Sequence, residues 1–248
     1  MFKRLFKKQQ NPIFTEPKII ETKIPGMASI KLKSYYDEFI WYYPDCEPVT
    51  KKWFVDNAKS DWHIFDCGAN IGYYSILFSK LAPRGQIYAF EPTETVKKLE
   101  DNLSYNGIGN VKIFKKALGF KSGKQTENIY RIWGNEPERI EYDFTTLDEF
   151  VKSEKITKLD CIKIDVDSFD FEVLQGAEKI LEDFNPYVVV ELNHALSRRC
   201  QSNMRALEWM YEHGYTNTVC LEYENFVFKK GVSCSGKNEI KVSFIDNV

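Results

Sequence analysis

A chain of 248 residues with 34 Lys and Arg against 36 Asp and Glu, 43% hydrophobic and 15% aromatic, has the composition of an ordinary globular protein. At this size about 70% of the surface can be buried on folding, which excludes collagen-like, mucin-like and wholly disordered classes. The formal charge of −2 provides no global positive field for neutralising phosphates, and this excludes bulk nucleic-acid binding.

Residues 1–26 carry Pro12, Pro17, Pro25 and Gly26 among charges, and are expected to be an N-terminal arm on a domain spanning 27–248. The opening MFKRLFKKQQ is basic with Phe2, Leu5 and Phe6 interleaved, but lacks the apolar stretch and cleavage site of a secretory signal. A frayed terminus is the favoured reading there, and a weak membrane-surface contact the alternative. No apolar run approaches the ~20 residues of a transmembrane helix. Six cysteines, at 46, 67, 161, 200, 220 and 234, show neither a CxxC pair nor a histidine at zinc spacing, so they read as reduced thiols of a cytoplasmic protein.

Short apolar alternations from Ala28 to Tyr43 suggest strands or a cap, and a helix is expected from Glu47 to Ala58. The pattern then becomes regular. HIFDCGA (63–69) reads as a buried strand turning at Gly68 into a helix from about Ile71 to Leu81. QIYAFEP (86–92) is the second strand, with a helix over about 93–106 that stops at Gly107. VKIFKKAL (111–118) is the third, followed by a meander over 119–144. Thr146-x-x-Glu149 has capping-box spacing at the next helix. DCIKIDVD (160–167) is the fourth strand, with a helix marked by Phe169, Val173, Leu174, Ala177, Ile180 and Leu181. PYVVVELN (186–193) is the fifth. A helix over about 197–213 and three strand-like runs (219–223, 226–229, 240–245) follow. The alternation predicts a Rossmann-like α/β fold: a mostly parallel central sheet, helices on both faces and an antiparallel C-terminal edge.

Ligands of such sheets bind at the carboxyl ends of the strands, where this chain places Asp66, Glu91, Asp165, Asp167 and Glu191. A carboxylate closing a hydrophobic strand is costly without a partner, and one shared ligand would account for all five. The first turn has only Gly68 and Gly72, not the GxGxxG of dinucleotide folds. The acid before it would repel a pyrophosphate but suits an ammonium or sulfonium, so S-adenosylmethionine fits. Glu91 is placed to accept from two ribose hydroxyls, which a nicotinamide dinucleotide would also offer.

DCGANIGYYS, AFEP, TTLDEF, DCIKIDVDSFDFEVLQGAEKIL and PYVVVELN, in this order across residues 63–194, resemble the FkbM-like family of S-adenosylmethionine-dependent O-methyltransferases. The resemblance implies a class I methyltransferase fold and cofactor binding by Asp66, Gly68, Asn70, Gly72 and Glu91, and Ala69, Tyr73, Pro92, Ala117 and Asp165 complete the candidate cofactor set. It also implies a small-molecule or glycan acceptor, such as the hydroxyl of a sugar or polysaccharide. Where the family usually reads DVEGxE, this chain has Asp165, Val166, Asp167, Ser168, Phe169 and Asp170, a departure that bears on loop shape and acceptor more than on cofactor.

Alternate positions of a strand share a face, so Lys163, Asp165 and Asp167 can point together, as can Glu191 and Asn193. Asp167 or His194 could take the proton of an acceptor hydroxyl, with Asp165 the third member of the candidate catalytic set. Alternatively Asp165, Asp167, Glu191 and Asn193 form an oxygen set for Mg²⁺ or Ca²⁺, ranked second. Plainer alternatives are a structural Lys163–Asp165 pair, a solvent-facing His194 and a packing role for Cys67. Trp133 and the acids of the meander could line the acceptor pocket or be ordinary surface. Two competing functions are an NAD-dependent oxidoreductase or epimerase, and a cofactor-binding scaffold without turnover. The sequence leaves oligomeric state undetermined.

Overall fold

A computed structural model describes residues 13–129, 138–222, 224–231 and 241–245. The chain opens with strands β1 (Ile13–Ile24) and β2 (Met27–Tyr36) and helices α1 (Asp37–Tyr42) and α2 (Pro48–Asn57). A first run of alternation follows: β3 (His63–Cys67), α3 (Tyr73–Leu81), β4 (Gln86–Phe90), α4 (Val96–Tyr105) and β5 (Val111–Phe114). Then come β6 (Ala117–Leu118), β7 (Gly123–Ile129), β8 (Glu138–Thr145) and α5 (Leu147–Ser153). The last part holds β9 (Cys161–Ile164), α6 (Asp170–Gln175), α7 (Glu178–Phe184), β10 (Tyr187–Glu191), a 3-10 turn (His194–Arg199), α8 (Asn203–Glu212), β11 (Asn217–Leu221), β12 (Asn225–Lys229) and β13 (Lys241–Ile245).

The central sheet has the order β13-β11-β12-β10-β9-β3-β4-β5. β5, β4, β3, β9 and β10 run parallel, β12 runs against β10 and β11, and β13 lies parallel to β11. This is the class I methyltransferase arrangement, with its order reversing between β3 and β9. The pleat sorts side chains onto two cores. Ile64, Ile87, Ala89 and Val189 face Phe54 of α2, Leu77 of α3 and Leu32 of β2, while Phe65, Phe90, Ile162 and Val190 face Phe150 of α5, Leu174 of α6 and Met210 of α8. Asp66 and Lys163 occupy neighbouring register positions. Among the described residues no helix is long and apolar enough to cross a membrane.

Several expectations change in detail. From Ile13 onward the arm is a strand paired antiparallel with β2; the basic segment before it lies outside the described residues. The meander contains β7 and β8, which pair antiparallel and join β6 in a second, three-stranded sheet, while Trp133 lies outside the described residues. The single helix expected from Phe169 is broken at Gly176. A side chain there would put Cβ 2.1 Å from the Gly119 carbonyl oxygen, and Asp148 instead caps α7 by accepting from the amides of Lys179 and Ile180 at 3.0 and 2.9 Å. The helix expected over 197–213 is likewise interrupted at Cys200, with φ +56°, and restarts where Ser202 Oγ accepts from the Arg205 amide. The predicted cap at Thr146 forms, its Oγ1 accepting from the Glu149 amide at 3.1 Å.

Asn102, fully buried on α4, ties the hairpin to the sheet. Its Nδ2 donates to the carbonyls of Lys33 and Ile71 at 3.0 and 2.9 Å, and its Oδ1 accepts from the Lys33 amide at 2.7 Å. Truncation strands the buried Ile71 carbonyl and two part-buried groups of Lys33, a buried one costing about 1–3 kcal/mol if left unmet. Asn102→Ala is therefore expected to lower stability by at least about 2 kcal/mol in urea unfolding. An unchanged midpoint would show that the hairpin is held by other contacts.

Candidate active site

The loop after β3 is built to bring backbone against backbone. Gly68 has φ +87°, and a Cβ there would stand 1.8 Å from the Asp165 carbonyl oxygen at the end of β9, so only glycine fits. The amides of Gly68 and Ala69 both donate to the Phe90 carbonyl at 3.0 and 2.9 Å, which locks the turn to β4. Asn70 follows with φ +48°, and its amide donates to Glu91 Oε2 at 3.1 Å. The other Glu91 oxygen accepts from the amide and hydroxyl of Thr93 at 2.9 and 2.6 Å. Glu91 is thus an acceptor fixed through both of its carboxylate oxygens.

Two chambers open at this end of the sheet. One, of about 560 Å³, has Glu91 and Pro92 on one side and Ala117, Leu118, Phe144 and Phe169 around it. The second, of about 460 Å³, is walled by Tyr42, Tyr43, Tyr73 and Tyr74 and holds Glu47, Asp66 and Lys163. Gly68, Asn70, Asp165 and Asp167 line both. The apolar chamber suits a flat aromatic ring with a diol held at Glu91.

The electrostatics centre on Lys163. Burial alone would depress its ammonium, but Asp165, Glu47 and Asp66 outweigh that and hold it above the ordinary lysine range. Its Nζ donates to Asp165 Oδ2 at 2.8 Å and stands 4.3 Å from the Tyr74 ring centre. Asp66 is pushed up to about 6, chiefly by burial, against the pull of Lys163 and of Ser75. Its Oδ2 accepts from Ser75 Oγ at 2.5 Å, whereas its Oδ1 and the Oδ1 of Asn70 are buried without partners. Two acceptors orphaned in one cavity fit a ligand that brings donors or positive charge. Asp167 is also raised to about 6, by burial first and then by Asp165, with Arg198 opposing.

Of the residues singled out in the sequence, the structure brings Asp66, Gly68, Ala69, Asn70, Tyr73, Glu91, Pro92, Ala117, Asp165 and Asp167 to the chamber walls. Gly72 lines neither; its φ of +95° caps α3 against Leu99. His194 is exposed at the start of the 3-10 turn, away from both chambers. The oxygen set proposed for a metal does not assemble: no group of three or more His, Cys, Asp or Glu side chains among the described residues could hold an ion. Asp165 is taken by Lys163, the backbone turns left-handed at Asp167, and Asn193 Oδ1 caps the 3-10 turn through the Ala195 amide at 2.7 Å. Burial, reinforced by Asp165 and Asp170, raises the Glu191 carboxyl and favours its neutral form. Cys67 is a packing residue whose thiol is pushed up by burial. Sequence reasoning missed Tyr42, Tyr43, Glu47 and Tyr74; the dense aromatic run before Glu47 was the available signal.

The loop that departs from the family pattern keeps a glycine-like path. Asp167 and Ser168 have φ +51° and +90°, and Asp170 holds them by accepting from the amides of Val166 and Ser168 at 2.9 and 3.1 Å. A non-glycine residue in this region carries about 1–2 kcal/mol of strain, partly offset by the greater chain entropy of glycine. Ser168→Gly is expected to stabilise the protein by up to about 1 kcal/mol in urea unfolding. Destabilisation of that size would mean that the serine hydroxyl contributes more than the backbone costs.

Comparison with known proteins places these features in a family. The model described as the methyltransferase FkbM domain matches residues 66–216. The hexuronic acid methyltransferase AglP of Haloferax volcanii is 28% identical over 165 residues, covering 63% of this chain and 67% of that protein. Among solved structures, an FkbM methyltransferase from Methylobacillus flagellatus superposes with a TM-score of 0.43 at 15% identity, over 57% of this chain and 37% of that one. A precorrin-6y C5,15-methyltransferase from Geobacter metallireducens gives 0.48 at 15% identity, over 76% and 89%. The match over more than half of its length makes this chain a member of the FkbM methyltransferase family.

Proposed function

We propose that the chain transfers a methyl group from S-adenosylmethionine to a hydroxyl of a sugar-containing acceptor. One observation carries the reading: an apolar chamber with a fixed carboxylate and a polar chamber with orphaned acceptors meet at a wall of Gly68, Asn70, Asp165 and Asp167. When bound, the cofactor supplies a methyl group already activated by its sulfonium. Glu91 would hold the ribose diol, and Ala117, Phe144 and Phe169 would flank the adenine. Asp66 and Asn70 would accept from the methionyl ammonium. The relative that methylates hexuronic acid supports a sugar acceptor.

Asp167 is the candidate base. It lines both chambers and is raised to about 6, close to the pH at which proton transfer is most effective. Asp165, tied to Lys163, would orient the acceptor rather than take its proton. Holding the reacting atoms in line supplies the larger share, about 7–11 kcal/mol in well-oriented systems. In a radiolabelled methyl-transfer assay on glycans, Asp167→Asn is expected to lower kcat by about 10²- to 10⁴-fold while cofactor affinity stays within about threefold. Unchanged kcat would remove Asp167 as the base, and no transfer to any sugar by the native enzyme would overturn the acceptor class.

The raised Asp66 also sets a pH dependence. Its carboxyl ordinarily titrates at 3.8 and here at about 6, so the unliganded fold loses stability as pH rises through that interval. A cationic ligand needs the ionised form, so affinity for S-adenosylmethionine should fall about tenfold per pH unit below about 6. Calorimetry from pH 5 to 8 checks this: Asp66→Asn should bind more weakly at pH 7 with a flatter profile. A flat profile in the native protein would contradict the assignment.

A further inference from the structure

Arg199 is a charged residue that the methyltransferase reading leaves unused, and it ties together parts that wall the apolar chamber. It ends the 3-10 turn, just before the left-handed Cys200. Its guanidinium carbon stands 3.7 Å from the ring centre of Phe169, within the range at which a cation is held by an aromatic ring. The same guanidinium pairs with two carboxylates: Nε donates to Glu172 Oε1, and Nη1 lies 3.4 Å from Glu127 Oε2. The Glu172 side chain is 8% exposed and that of Arg199 22%, so solvent screens this pair little.

Each contact reaches a different element. Phe169 lines the chamber and packs against Phe144, with ring centres 5.6 Å apart. It follows the left-handed Asp167 and Ser168 directly, so the backbone before it is a tight turn and not a strand. Glu172 belongs to α6, the helix that this turn enters. Glu127 belongs to β7, two positions before Ile129; the two share a face of that strand, and Ile129 lines the chamber. The described strands of the second sheet form no ladder with the central one. Arg199 therefore bridges the small sheet, α6 and the loop after β9 through side-chain contacts.

Resting on the methyltransferase reading, which sets the adenine of the cofactor in this chamber, we infer that Arg199 is a positioning residue: anchored by Glu172 and Glu127, its guanidinium fixes the Phe169 ring against which the adenine lies. Arg199 itself lines neither chamber. A planar fork can pack on a ring while two of its nitrogens reach different carboxylates, which the compact ammonium of a lysine cannot reproduce. A ring held in place before the ligand arrives spares the ordering that binding would otherwise have to supply. The contribution of Arg199 is thus to cofactor affinity and passes through Phe169.

The test titrates S-adenosylhomocysteine calorimetrically into the full chain at pH 7, at a temperature where thermal unfolding shows each variant folded. Arg199→Met keeps the stem and removes the charge, and is expected to weaken binding about fivefold or more. Because this change strands the buried Glu172, the double variant Arg199→Met with Glu172→Gln is measured beside it, with the same loss expected. Arg199→Lys should remain about threefold weaker than native. In a Phe169→Leu background Arg199→Met should cost less than about twofold more, since the ring through which it acts is gone. Native affinity in the Met variants, full rescue by lysine, or the same loss with and without Phe169 would overturn the inference and leave the methyltransferase reading standing. Failure of both Met variants to fold would make Arg199 a stability residue and overturn it likewise. No binding by the native chain would instead overturn the methyltransferase reading, and the inference with it.

Discussion

Lys163 enters the sheet from β9 almost without exposure, and the carboxylates of Asp165, Glu47 and Asp66 gather around its ammonium. A buried cation of this kind is tolerated only when paired, and buried carboxylates only when compensated. The parallel register that sets Asp66 beside Lys163 therefore couples β3 and β9 electrostatically as well as through the ladder. Glu47 extends the same cluster to α2, and Asn225 carries it on to β12. Removing the ammonium would leave several acids facing one another in a partly dry cavity, so the shape of the polar chamber depends on this one side chain.

The second constraint is steric. Gly68 lets the first loop press its backbone onto the Asp165 carbonyl, so the ends of β3 and β9 form a single wall with ligand space on either side. Glu91, held by Asn70 and Thr93, fixes one side. Asp66 and Asn70 leave unpaired acceptors on the other. The switch point is thus preorganised: its acceptors are in place before a ligand arrives, and little side-chain ordering remains to be done on binding.

The strand-and-helix order was legible because buried parallel strands read as continuous apolar runs and their helices as periodic ones. Asp66, Gly68, Asn70 and Glu91 were legible for the same reason, since each sits where a strand ends. The breaks at Gly176 and Cys200 were not, because they arise from backbone contacts with distant segments rather than from local propensity. Asn193 was misplaced by extending strand alternation beyond Glu191, where the chain turns into the 3-10 helix that also carries His194. Asp167 reaches the chambers although strand alternation ends at Ile164, through a left-handed turn that no periodicity signals. Glu47, Tyr42 and Tyr43 of the polar chamber lie more than fifteen residues before β3, and only the fold brings them to it.

All of this rests on the crevice beside β3 taking an adenosine carried on a thioether chain and not a dinucleotide. Calorimetric titration of the full chain at pH 7 with S-adenosylhomocysteine, and in parallel with NAD, measures that choice directly. The account predicts saturable binding of one S-adenosylhomocysteine per chain and no heat from NAD. Saturable binding of NAD, or silence from both, would contradict it.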